Sequence, residues 1–504
     1  MVDVKEIIFW IRKNIFKKDI LIILLLLGAF SLTRLINLNK FPIFTDEGIY
    51  IRWAKVAWHD ATWRFISLTD GRQPLQTWAT IPFLKLFPNN ALFAGRLFAV
   101  FSGLLSLSGL FTASYYLFGK RTAYLTTALY IFTPYFLFHD RVALVDSTVN
   151  AGVIWMFLLS TLLARTRRLD FSLLLGIVGG MSLLAKSSAK LFLGLSFLSV
   201  LYTIFEHKKD RLNKLISFVV LYCISGVVAF TIYNIQRLSP FFHYVKEKNT
   251  TFVLTFHEIL KNPFQVLPTN LKLLPYYVFS EMAYVVPLIG LLGLFILIRR
   301  KRIEGFYIGL WLLASYLVIS LVAEVLYPRY VMSLGLLLLL PAGYLISKLS
   351  RKKLWTAILA VIASVIFFNY TILFNPASIP FPEVDRGQYL EGWPAGWGIK
   401  EIMEYSRNRS NEKKVTILAE GNFGMSGDVL DAHLRPGDTN IEIKGYWPLD
   451  LSVVLENLKL LDKQTVLIVF SHREEFPPDW PIKKIAEYKK PGNKSTIYLY
   501  ELYK

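Results

Sequence analysis

The chain has 504 residues, 54% of them hydrophobic, with 56 Lys and Arg against 36 Asp and Glu and a formal net charge of +20. That composition excludes disorder and collagen, and the single cysteine, Cys223, excludes an internal disulfide framework and a Cys-rich zinc or iron–sulfur site. The surplus charge raises either a nucleic acid or an anionic surface as partner, and its distribution decides between them.

Apolar runs of roughly 18 residues or more are long enough to cross the bilayer core. The first, Ile20–Asn37, has no small-residue cleavage site after it and reads as a retained helix. Ala91–Phe118, Thr122–Phe138, Val142–Ala164, Phe171–Ala185, Leu191–Phe205 and Leu215–Ile235 follow it. Tyr276–Ile298, Gly305–Leu326, Tyr330–Ile346 and Leu354–Phe374 complete eleven predicted spans. With the N-terminus in the cytoplasm, 22 basic residues fall on cytoplasmic flanks: Lys5 to Lys18, Lys120–Arg121, Arg165–Arg168, Lys208–Lys214, Arg299–Arg302 and Lys348–Lys353. This is the positive-inside distribution, so the charge is an orientation signal rather than a nucleic-acid signal. An odd number of spans puts everything after Phe374 outside.

Residues 375–504 hold 17 basic and 19 acidic residues, the balance of a soluble domain. Val415–Ala419, Asn440–Ile443, Thr465–Phe470 and Ser495–Leu499 read as strands, and Ile399–Arg407 and Leu451–Leu461 as helices. The fold class is therefore a polytopic α-helical membrane protein, residues 1–374, with an extracytoplasmic α/β domain, residues 375–504.

Charged residues gather on the predicted outer face. The first outer loop, residues 38–90, carries Thr45-Asp46-Glu47-Gly48 and then Arg72-Gln73-Pro74-Leu75. Asp46 or Glu47 reads as a general base or a metal ligand; alternatively Asp46 caps a helix starting near Gly48, with Glu47 in its first turn. A second outer connection reads His139-Asp140-Arg141, with Asp146-Ser147 after an apolar stretch. A carboxylate as deep as Asp146 needs a partner or a use. Lys186 in Leu184-Ala185-Lys186-Ser187, and Arg329 in Tyr327-Pro328-Arg329-Tyr330, are cations on the side that orientation disfavours. With Arg72 they form a set suited to a phosphate at the headgroup level, although snorkelling explains any one of them. The Gly392–Gly398 segment reads as an ordered loop, with sugar stacking on its tryptophans as the other reading. Gly421–Gly427 matches neither a dinucleotide fingerprint nor a Walker loop. The seven histidines show no metal-type pairing in sequence.

These motifs, in this order, resemble the GT-C integral-membrane glycosyltransferases, in the branch of protein mannosyltransferases, aminoarabinose transferases and rhizobial galacturonosyltransferase-like (PMT-like) enzymes. Asp46-Glu47 is similar to the acidic first-loop motif, and Arg72-Gln73-Pro74-Leu75 to a Lys-Pro-Pro-Leu segment. Arg141 followed by Asp146 resembles an Arg with an acidic residue five positions later. Leu184-Ala185-Lys186-Ser187 resembles Leu-Thr-Lys-Gly, and Arg329-Tyr330 the family's Arg-Tyr.

The resemblance implies sugar transfer from a polyprenyl-phosphate donor to a lipid, glycan or protein acceptor at the outer face of a multi-pass cell-envelope membrane, with inversion. It implies Asp46, with Glu47, in catalysis, and Arg72, Arg141, Lys186 and Arg329 on the donor phosphate. Asp146 and Asp140 would orient or support the acceptor. No nucleotide cofactor and no nucleic acid are expected. A divalent cation on Asp46, Glu47 or Asp146 stays open. Transport or flipping of a lipid-linked saccharide is the alternative, and a scaffold without activity a further one.

Overall fold

The computed structural model describes residues 17–206 and 210–504. Of the cations expected on cytoplasmic flanks, Lys5, Arg12, Lys13, Lys208 and Lys209 lie outside the described residues.

Most of the predicted spans are helices, but fewer than eleven are long single spans. Among the described residues seven helices are long and apolar enough to cross a membrane, and eight if one bent pair counts as a span. The differences have local causes. Lys17–Leu35 carries Lys18, Asp19 and Arg34 inside its length. The Thr122–Phe138 run breaks into Lys120–Phe132 and Pro134–His139, because proline cannot continue the preceding ladder. Leu169–Ala185, at 17 residues, is one residue shorter than the shortest of the seven, Ala189–Glu206. Tyr276–Ile298 is not one helix: Leu267–Glu281 and Val285–Arg299 meet at 113°, across Ala283 and Tyr284 in the left-handed region.

Burial separates the helices by role. Asp146–Thr166 and Pro328–Ser347 are the packed centre, 83% and 89% buried over their apolar windows, while Arg211–Leu238 and Arg351–Phe374 are 17% and 22% buried. Apolar surface of that extent is unfavourable in water and is matched by lipid. The chain is a multi-pass membrane protein.

After Phe374, where the two-part division was expected, the chain builds a five-stranded sheet. Its strands are β1 (Lys414–Glu420), β2 (Ile441–Tyr446), β3 (Gln464–Phe470), β4 (Ile482–Lys489) and β5 (Thr496–Leu502). Their order across the sheet is β2-β1-β3-β5-β4, parallel in the first three strands and antiparallel beyond. The edge strand β4 is absent from the sequence reading because Lys483, Lys484, Glu487 and Lys489 mask it; charged edges of this kind resist pairing with other chains.

One buried carboxylate organises the end of β1. Glu420 Oε2 accepts the backbone N–H groups of Ser471, His472 and Arg473 at 2.8, 2.7 and 3.2 Å. Burial alone would push this carboxyl up; the hydrogen bonds outweigh it and hold the pKa below the usual value. A depressed folded pKa contributes stability above the unfolded value, and that stability is lost as pH falls through the folded one. Glu420→Gln is expected to weaken the sheet domain by about 2 kcal/mol, read as lost hydrogen-exchange protection at residues 471–473 of the full chain. Unchanged protection there would refute the anchoring role.

The sheet domain sits on the first-loop helix Thr45–His59. Gly48 lies so close to Val429 that a Cβ would stand 2.7 Å from its Cγ1. Arg52 pairs with Asp428 at 3.1 Å and Lys55 with Asp431 at 3.5 Å. Ile43–Phe44 pairs with Ala395–Gly396 as two antiparallel residues, and Thr45 donates from its N–H and Oγ1 to the Pro394 carbonyl at 3.0 and 2.9 Å. The Gly392–Gly398 segment is thus an ordered loop, and it pins the residue immediately before Asp46.

Candidate functional site

Asp46 and Glu47 both lie in the first turn of Thr45–His59, where the helix dipole favours negative charge. The helix starts at Thr45, so neither serves as the N-cap expected near Gly48. One residue of helical rotation, about 100°, sends the two carboxylates to different neighbours. Asp46 faces a cavity, one-fifth exposed. Its Oδ1 takes a hydrogen bond from Arg72 Nη2 at 3.2 Å and its Oδ2 one from Arg329 Nη2 at 3.3 Å. Burial would raise its pKa, but the Arg72 and Arg329 guanidiniums outweigh that and hold it below 3.8. Asp46 is a carboxylate across the physiological range.

Each basic partner is itself held. Arg72 also pairs with Asp70 at 3.0 Å, and Lys248 reaches the other oxygen of Asp70 at 2.8 Å. Gly71 (φ +66°) lets the chain turn into Arg72; a Cβ there would lie 2.4 Å from the Tyr244 carbonyl oxygen. Arg329 donates to Gln388 Oε1 at 2.6 Å and to the Tyr389 hydroxyl at 3.1 Å, and its guanidinium lies 5.3 Å from the Tyr330 ring centroid. Arg329 Nε stands 3.9 Å from Asp146 Oδ2, and Lys186 Nζ meets Asp146 Oδ1 at 2.7 Å. Lys186 also sits 3.8 Å over the Tyr330 ring. Arg329 therefore bridges the two carboxylates.

These groups share one cavity of about 450 Å³. Asp46, Arg72, Asp146, Lys186, Lys190, Lys248 and Arg329 are its charged lining residues. With Asp70 paired to Arg72 and Lys248, five cations against three carboxylates leave a surplus of two positive charges, which suits an anion of charge −1 to −2. Phe192, Phe252, Val318, Ile319, Val322 and Leu326 line the same cavity, and Val318 is itself exposed on its helix. The cavity is therefore amphipathic: it suits a molecule with an anionic head and a long apolar tail.

Five of the eight residues expected at the site are brought together: Asp46, Arg72, Asp146, Lys186 and Arg329. Three are placed elsewhere. Glu47 is fully buried and held by Arg96, Nε to Oε1 and Nη2 to Oε2, both at 2.8 Å. It also accepts the N–H groups of Phe44 and Ala143, so its oxygens are committed to the loop and not to the cavity. Asp140 is fully buried with Arg34 at 3.1 Å, Tyr130 and Ser147. Arg141 donates to the carbonyls of Thr33, Arg34 and Asn37 and so closes the end of the first helix. Short sequence spacing placed these three near the site; side-chain direction turned them into supports.

The sequence reading missed Tyr50, Gln73, Lys190, Lys248 and Tyr330 on the cavity, and Gln388 and Tyr389 behind Arg329. Burial pushes Tyr50 up to about 12, so it stays a neutral phenol beside Asp46. Lys248 lies in a polar stretch with no motif around it, and Gln388 and Tyr389 come from beyond the last long helix, so spacing offered no signal.

For a cation in the cavity, only Asp46 and Asp146 remain of the expected donors, because Glu47 is committed to Arg96. A second donor set lies outside the cavity: His139, Glu281 and Asp385.

A family model described as dolichyl-phosphate-mannose-protein mannosyltransferase matches residues 72–233. No curated protein matches the chain by sequence. Among solved structures, ArnT from Cupriavidus metallidurans bound to undecaprenyl phosphate superposes with a TM-score of 0.63 at 14% identity, covering 95% of this chain and 97% of that one. The apo state of the same protein gives 0.58 at the same identity and coverage. Archaeal oligosaccharyltransferase AglB from Archaeoglobus fulgidus, in complex with an inhibitory peptide and a dolichol-phosphate, gives 0.52 at 11% identity, over 91% of this chain and 70% of that one. The expected resemblance thus holds: the fold is the GT-C fold, sheet domain included.

Proposed function

We propose that this chain, a polytopic membrane protein of GT-C fold, is a glycosyltransferase that moves a sugar from a polyprenyl-phosphate carrier to an acceptor at the outer membrane face. The observation that carries the reading is the amphipathic cavity, which joins a carboxylate and a cluster of cations to an apolar wall. The carrier's phosphate takes the cationic groups and its isoprenoid the wall of Phe252, Val318, Val322 and Leu326. The ligands printed for ArnT and AglB, undecaprenyl phosphate and dolichol-phosphate, are of this class.

Asp46 takes the proton from the acceptor hydroxyl or amine as that atom bonds to the anomeric carbon. The bond from the anomeric carbon to the phosphate oxygen breaks, and polyprenyl phosphate leaves with the electron pair. Arg72, Lys186 and Arg329 stabilise the charge growing on that phosphate. Direct displacement inverts the anomeric centre. In the free protein Arg72 and Arg329 are held by Asp46 itself; a donor phosphate competes for both and leaves Asp46 facing the acceptor. Glu47, Asp140 and Arg141 act as positioning residues. In this reading the N-terminus is cytoplasmic, residues 1–374 are the catalytic membrane unit, and the sheet domain lies outside, over the first loop.

Sugar transfer by the purified protein in detergent, supplied with polyprenyl-phosphate sugars, tests the proposal. Val322→Trp, which adds bulk to the apolar lining, is expected to raise KM for long-chain donors about tenfold while kcat stays within twofold, as lost ground-state binding does. Equal kinetics with long and short isoprenoids in both proteins would place the lipid elsewhere. Membrane glycans identical with and without the protein, in a strain that expresses it, would refute the activity.

A further inference from the structure

A second cluster of chemistry lies behind Arg329, outside the cavity. His139 ends the helix Pro134–His139, Glu281 ends Leu267–Glu281, and Asp385 lies in the short helix Glu383–Arg386. The three are 2%, 0% and 0% exposed. Neither ring nitrogen of His139 has a hydrogen-bond partner, and the carboxyl groups of Glu281 and Asp385 meet only each other. One ligand atom from each residue lies within 4.8 Å of the others.

Two buried carboxylates that meet only each other, beside an unpartnered imidazole, are not a stable arrangement when ionised, since buried charges are almost always paired. No lysine or arginine forms an ion pair with Glu281 or Asp385 among the described residues. A cation shared by all three would satisfy them at once. We propose that His139, Glu281 and Asp385 bind one divalent transition-metal ion, with Zn²⁺ the best fit. One imidazole nitrogen with two carboxylate oxygens is a common donor set for zinc, and three protein ligands leave a fourth position for water. Mg²⁺ and Ca²⁺ require six or more oxygen ligands and are poorly served by imidazole. Tetrahedral ligands at about 2.1 Å stand roughly 3.4 Å apart, so the three side chains close in modestly around the ion.

The location assigns the ion a structural role. It joins the outer end of a membrane helix, an outer connection and the segment that leads into the sheet domain. Gln388 and Tyr389, the two partners that hold Arg329, follow Asp385 within four residues. The ion therefore fixes the frame behind the phosphate-facing guanidinium without touching the cavity. The proposal does not depend on the reaction catalysed.

The test uses the full chain, purified in detergent with a tag free of histidine, exposed to Zn²⁺ or Co²⁺ and then desalted. Expected are about one equivalent of zinc by elemental analysis and, with cobalt, the visible d–d bands of a four-coordinate site. A strong chelator should lower Tm, and Zn²⁺ should restore it. Asp46→Asn should keep the metal; Glu281→Gln with Asp385→Asn, and separately His139→Gln, should lose it. Native protein that retains less than a tenth of an equivalent of either metal would overturn the proposal, whether or not the variants fold. So would a full equivalent that survives in the folded double variant.

Discussion

Asp46→Asn is expected to lower kcat about a thousandfold, within the range general-base catalysis supplies, while Tm changes by no more than a few degrees. The asparagine keeps the side chain's size, but its single acceptor oxygen serves only one of Arg72 and Arg329, and its amide NH2 faces the other. Arg72 retains Asp70 at 3.0 Å, and Arg329 retains Gln388 and Tyr389, so no buried cation loses its last partner. Full turnover by a folded Asp46→Asn protein would remove Asp46 from the chemistry.

The same residue predicts a distinctive pH dependence. In the free protein two guanidiniums hold its pKa below 3.8 against the opposing effect of burial. When a donor phosphate engages those guanidiniums, burial remains and the pKa rises. The acid limb of kcat, which reports the donor complex, is therefore expected at higher pH than that of kcat/KM, which reports the free enzyme. Coincident limbs would show that Arg72 and Arg329 stay with Asp46 throughout turnover. Because the folded pKa is depressed, the same pairing stabilises the fold above the unfolded value and loses that contribution as pH falls through the folded one.

Breaking the Glu47–Arg96 pair should act through the other route. Both side chains are fully buried, and Arg96 also donates to the carbonyls of Leu38, Phe41 and Pro42 at 2.8, 2.9 and 3.1 Å. It gathers the start of the loop after the first helix and the Asp-Glu turn into one unit. Arg96→Met leaves a carboxylate without its cation and three carbonyls without donors, at a cost of about 3–5 kcal/mol. The expected result is a Tm lower by several degrees, with kcat reduced in the protein that remains folded because Asp46 adjoins Glu47. Glu47→Gln should do the same more mildly. A large kcat loss with unchanged Tm in Glu47→Gln would instead give Glu47 a chemical role. Adjacent carboxylates are thus separable by measurement: one expected to fail in rate with its fold intact, the other in stability first.

Tertiary structure overruled sequence wherever direction mattered more than position. Glu47, Asp140 and Arg141 are charged, close in sequence to cavity residues and apparently costly in a membrane protein. Each found a buried partner on another segment: Arg96, Arg34, and the carbonyls that end the first helix. Spacing places a residue on an element but does not choose which of two neighbours faces inward, and a rotation of about 100° per residue in a helix separates Asp46 from Glu47. The eleven predicted spans are not all long single helices among the described residues for a related reason. Hydropathy registers apolar length, whereas Pro134 and the bend at 282–284 break runs that are apolar throughout.

The sequence by itself determined what composition and order along the chain carry. Apolar blocks made it a membrane protein, the change in composition after Phe374 marked off a sheet-bearing segment, and Asp46, Arg72, Asp146, Lys186 and Arg329 stood out as charges that topology did not explain. Only the tertiary structure could decide which of these meet. Asp46 and Arg329 are 283 residues apart, yet their side chains touch at 3.3 Å. His139, Glu281 and Asp385 come from three segments that no spacing rule connects. Burial without a compensating charge is a property of packing, so it became visible only once the helices and the segments between them were assembled.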